Sequence, residues 1–83
     1  MGNFAAAAKS YEQAVQSGGD AVSLNRRLGQ AYERLGRNSD AVTAYQRCMS
    51  AIDSAISSGR GDKERLASTR GVCEQAVKVL QGG

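Results

Sequence analysis

Apolar side chains return along this chain at intervals of three and four residues, in four stretches separated by glycine. In the first stretch, residues 3–17, Phe4, Ala7/Ala8, Tyr11 and Ala14/Val15 fall on one side of a helix. In the second, about Ala21 to Leu35, the same stripe is made by Leu24, Leu28, Ala31/Tyr32 and Leu35. The third opens near Ser39 with Ala41/Val42, Tyr45 and Cys48/Met49. It runs on through Ile52 and Ile56, which predicts a long helix reaching Ser57. The fourth, residues 62–81, carries Leu66, Thr69, Cys73, Ala76/Val77 and Leu80 inward. Gly18-Gly19, Gly36, Gly59-Arg60-Gly61 and Gly82-Gly83 punctuate these stretches. Asn3, Asp20, Asn38 or Ser39, and Asp62 stand at the openings as N-caps. Helices joined by such short connections lie antiparallel to their neighbours. The fold class expected is all-α, with about four helices in one domain.

The first stretch laid on the third at an offset of 34 residues brings Gly2 to Gly36, Ala7 to Ala41, Ala8 to Val42, and Tyr11 to Tyr45. Ala14 then meets Cys48 and Val15 meets Met49. Phe4 is the one apolar position without a small or apolar mate. A period of this length with two helices in it marks a repeat whose single unit cannot bury its own apolar face.

The run Leu28-Gly29-Gln30-Ala31-Tyr32-Glu33-Arg34-Leu35-Gly36 resembles the L-G-x-x-Y-x-x-L-G signature of the tetratricopeptide repeat. The run Asp40 to Cys48 resembles the second helix of that repeat, with cysteine where alanine is usual. The resemblance spans a complete repeat at 22–55 with an extended second helix, and the second helix of a partial repeat at 3–17. It implies a right-handed solenoid fragment in which small Gly29 and Ala41 let helices approach and Tyr32 and Tyr45 fill the space between pairs. Departures are clear. Leu24 and Asn25 stand where an aromatic is usual, and Ser17-Gly18-Gly19-Asp20 replaces an Asp-Pro turn. The last stretch matches only at an offset of 42, with Leu24 on Leu66 and Gly29 on Gly71, and is expected to be a modified terminal or capping helix. Met1-Gly2 falls where Leu35-Gly36 falls in the next unit, so the chain is expected to be a piece of a longer solenoid.

Composition narrows the chemistry. The 83 residues hold no histidine, no proline and no tryptophan, and 41% are hydrophobic. Without histidine the commonest general base and metal ligand are both missing. Cys73 and Glu74 are sequence neighbours and so diverge on a helix. No catalytic residue, metal site or cofactor is expected. Cys48 and Cys73 are read as reduced core residues, which suits a cytoplasmic location. Asp62 and Glu64 suit a helix start, and the Arg60-Gly61-Asp62 triplet is read as a loop with an N-cap. No signal peptide and no apolar stretch of membrane-spanning length is present in this sequence.

The family resemblance implies protein–protein interaction, with the first helix of each pair lining a groove. On this sequence the groove residues are Ser23, Arg26, Gln30, Glu33 and Arg34, a stripe apart from the leucines. Arg26 and Arg34 suit a carboxylate or chain terminus of a peptide. The net charge of +3 makes an acidic partner the natural one. The family's two-carboxylate clamp draws on three successive repeats and is not expected here. A second expected surface is the apolar face of Phe4, Ala8, Tyr11 and Val15, read as open to self-association, as a homo-oligomer or domain-swapped dimer. Two rival roles stand beside peptide binding: a structural cap or oligomerisation unit, and weak nucleic-acid binding through Arg26, Arg27, Arg34, Arg37 and Arg47.

Overall fold

A computed structural model describes residues 3–82, and the Met1-Gly2 equivalence lies outside the described residues. Four α-helices follow one another: α1 (Phe4–Gln16), α2 (Ala21–Arg34), α3 (Asn38–Ser57) and α4 (Lys63–Gly82). Each packs on the next, α1 on α2, α2 on α3 and α3 on α4. The smallest dimension, 19 Å, is close to two helix diameters. All-α pairing with tight connections is what the apolar spacing predicts.

The helix starts follow from side-chain oxygens. Asn3 accepts from the Ala6 amide at 3.0 Å. Asp20 accepts from Val22 and Ser23, and Asp62 from Glu64 and Arg65. The expected cap of α3 by Asn38 or Ser39 is corrected. Arg37 holds the N-cap position and its side chain makes no capping bond. It reaches forward to Asp40 in the first turn, Nε to Oδ2 at 2.8 Å, so a carboxylate still faces the positive end of α3.

The helix ends follow from glycine. At the end of α2, Gly36 takes a φ of 76°, a left-handed turn that only glycine adopts freely. It lets the Gly36 amide donate to Glu33 and the Arg37 amide donate to Tyr32 at 2.9 Å. Arg37 thereby comes to lie over the Tyr32 ring, 4.8 Å from its centre. The same pair of bonds closes α1 at Gly18 and α3 at Gly59.

The core runs through all four helices. Ala41, Cys48, Ile52 and Cys73 have no exposed surface. Ala8, Leu28, Ala31, Tyr32, Ala44, Tyr45 and Val77 complete it. Gly29 explains the closeness of α2 and α3: a Cβ there would sit 2.6 Å from the Tyr45 ring. Leu35 departs from its expected inward place and is 37% exposed, because it sits at the C-cap after the last helical turn. Asn25 is the buried polar exception at 3% exposure. Its Nδ2 donates back to the Ala21 carbonyl at 2.8 Å, so the helix itself satisfies the donor.

Candidate functional site

Two polar bonds brace the helix pairs. The Tyr32 hydroxyl on α2 donates to Glu12 on α1 at 2.5 Å. The Tyr45 hydroxyl on α3 donates to Glu33 on α2. Burial, and then the bond to Glu12, pushes the Tyr32 hydroxyl up to about 12. Burial, and then Glu33, pushes Tyr45 up as well. The thiols of Cys48 and Cys73 are free, and burial raises both above the ordinary value. Deprotonation of either is therefore suppressed, which makes them inert core groups at neutral pH.

The α1–α2 pair opens a cleft of about 570 Å³. Phe4, Ala7 and Tyr11 form its α1 wall, and Arg27, Gln30 and Arg34 are prominent on its α2 wall. The volume lies within the usual range for small-ligand pockets, and the wall is mixed, apolar on one side and cationic on the other. Asn3 and Ala31 also line it, as does Glu33. The Arg34 guanidinium sits over the Phe4 ring, 5.6 Å from its centre, so the two walls touch at the rim.

The stripe expected on α2 is divided by the fold. Gln30, Glu33 and Arg34 are exposed and share this cleft. Ser23 is half-buried and lines a different cleft, about 780 Å³, bounded also by Ala55 on α3 and by Arg65, Leu66 and Thr69 on α4. Arg26 lines neither of these two clefts. It is half-buried and its charge acts on Tyr45, Cys48 and Cys73. Ser23 and Arg26 therefore do not share the α1–α2 cleft with Gln30, Glu33 and Arg34.

The expected open face of α1 is also corrected. Ala8 is 3% exposed, buried within the chain's own core. Tyr11 and Val15 pack against that core and are half-buried, and Phe4 is 38% exposed. The reason is rotational: α1 turns Ala8 and Val15 toward α2. Ala7, Tyr11 and Ala14 stand one face over, each half-buried.

Sequence reasoning missed the larger cleft and the part of Arg27 in the smaller one. Arg27 is adjacent to Arg26 in sequence but points about 100° around the helix from it. The larger cleft exists because α3 runs well past the length of α1 before α4 turns back, 20 residues against 13. Its signal was the change of offset from 34 to 42. The five arginines considered for nucleic acid are dispersed: Arg27 and Arg34 are on the α1–α2 cleft. Arg37 and Arg47 line a third hollow with Glu12 and Asp40, and Arg37 is paired with Asp40 at 2.8 Å. Among the described residues no group of three or more histidine, cysteine or acidic side chains is placed to hold a metal ion, and no helix is long and apolar enough to cross a membrane.

The family model of the tetratricopeptide repeat matches residues 1–55, from α1 to near the end of α3. No curated protein and no solved structure matches the chain.

Proposed function

Because the chain belongs to the tetratricopeptide repeat family, whose repeats are generally protein–protein interaction modules, we propose that it binds an acidic peptide segment of a partner protein in the α1–α2 cleft. The single observation that carries this reading is the pairing of walls: Phe4, Ala7 and Tyr11 across from Arg27, Gln30 and Arg34. An extended peptide places apolar side chains on the first wall. Its carboxylates, or its chain terminus, meet the two guanidiniums on the second. The net charge of +3 speeds the approach of such a segment. Gln30 supplies both a donor and an acceptor for the peptide backbone. Glu33, already accepting from Tyr45, holds the α2 wall to α3 and repels a second carboxylate at that end.

The test is a titration with short glutamate-rich peptides against the chain and its Arg27→Ala/Arg34→Ala variant. Both arginines are on the helix surface, so folding survives their removal. The expected outcome is a loss of affinity of at least about tenfold, the scale of one lost charge-assisted hydrogen bond. Equal affinity with an unchanged helical spectrum removes the cleft from the account.

A further inference from the structure

Three features of the chain repeat the closed α2–α3 contact in two separate halves. In the closed contact, Gly29 and Glu33 stand four residues apart on α2, and Tyr45 of α3 lies on the glycine and donates to the glutamate. On α4, Gly71 and Gln75 stand four residues apart on an exposed face. A Cβ at Gly71 would meet nothing within 4 Å. Glycine inside a helix is destabilising relative to alanine, and no contact among the described residues requires it there. At the other end, Tyr11 of α1 occupies the register of Tyr45, 34 residues earlier. Tyr45 is 2% exposed, whereas Tyr11 is half-buried. Its flanking residues follow suit: Ala41 and Cys48 have no exposed surface, but Ala7 and Ala14, their counterparts, are half-open.

We infer that α4 of one copy of this chain pairs with α1 of a second copy, Tyr11 seating on Gly71 and donating its hydroxyl to Gln75, so that self-association competes with the peptide proposed above for the Ala7 and Tyr11 wall of the α1–α2 cleft. The occupant is a second copy because the two halves of the contact, each open among the described residues, are complementary and lie on one chain. The interface is continuous with the established one, since α1 already packs on α2 and α4 on α3. A helix pair added between copies extends the same order of packing. The two surfaces differ, so the contact is head to tail and propagates from copy to copy unless the chain of copies closes into a ring.

Sedimentation velocity over a rising concentration series of the chain is the experiment. The inference expects a mass average that climbs with concentration beyond a dimer or to a closed ring. Gly71→Ala places a methyl where the Tyr11 ring would lie. It is expected to weaken association by about tenfold or more while raising the melting temperature of the monomer, since alanine favours the helix. Gly71→Gln and Tyr11→Ala are each expected to be monomeric alone and to form a one-to-one dimer when mixed, because each keeps the end that the other has lost. A chain that stays monomeric throughout overturns the inference. So does association unchanged by Gly71→Ala, or a Gly71→Gln variant that still pairs with itself, which would mean a symmetric α1–α1 contact.

Discussion

Tyr45 and Tyr11 occupy the same place in helices that are 34 residues apart, and Gly29 and Gly71 the same place in helices that are 42 apart. Within the α2–α3 pair the tyrosine is enclosed and the glycine is pressed against its ring. At the two ends the tyrosine is half-open and the glycine faces empty space. The residue types are the same, and the local helices are the same. What differs is whether, among the described residues, another helix packs on that face. Burial in a stack of helix pairs is thus conferred by the neighbour, and a residue's cost or benefit depends on its position in the stack.

The largest expected effect tests this on the tyrosines. Tyr45→Ala removes an enclosed aromatic and is expected to lower stability by about 3–5 kcal/mol, enough to unfold much of a chain this small. Tyr11→Ala is expected to lose roughly half as much or less, because its ring has fewer partners to lose. Urea denaturation followed by helical circular dichroism reads both. Equal losses would break the comparison. If Tyr45→Ala is unfolded outright, Tyr45→Phe isolates the hydroxyl bond to Glu33 at a loss of about 1 kcal/mol.

The next effect is in alkali. Tyr32 has its folded-state value raised from 10 to about 12, mainly by burial, so the folded state holds its proton more firmly than the unfolded state. The stability this contributes is fully present below pH 10 and is lost as pH rises through 12. Over that window the loss is bounded by about 3 kcal/mol. Tyr45, also raised, adds to the decline at still higher pH. Melting temperatures taken across pH 9 to 12 are expected to fall, and Tyr32→Phe is expected to flatten the first part of the fall. A flat profile in the parent chain would mean that Tyr32 is not held in its enclosed, hydrogen-bonded state.

The smallest effect has the sharpest sign. Gly29→Ala drives a methyl into the Tyr45 ring, and the crowding outweighs the helix preference for alanine by about 1 kcal/mol. Gly71→Ala meets no atom within 4 Å and is expected to stabilise the monomer by about 1 kcal/mol. Paired thermal melts at low concentration check both. The same sign at both positions would mean that helix preference alone governs these glycines.

Much of the fold was legible because its determinants are local. The three- and four-residue spacing marked the helices, glycines marked their ends, and Asn3, Asp20 and Asp62 marked three starts, all without knowledge of the packing. The α3 start was misread because Arg37 reaches Asp40 three residues on, and a long guanidinium does not announce itself as a cap neighbour. The site was less legible. Ala8 reads as one of a row of equivalent alanines, Ala5 to Ala8, and only the rotation of α1 against α2 decides that Ala8 goes inward. Arg26 and Arg34 look like one polar stripe, yet eight residues of helix carry them to different neighbours, Cys48 and Cys73 for one and Phe4 for the other. Periodicity gives a face, and only tertiary contact says what stands across from it.

The most direct test of the central claim is an NMR titration of the isotope-labelled chain with a short glutamate-rich peptide. Shifts that concentrate on Phe4, Tyr11, Arg27, Gln30 and Arg34 and saturate together are the predicted result. Shifts that gather instead on Leu66 and Thr69 in the cleft between α2, α3 and α4, or that never rise above baseline, would contradict it.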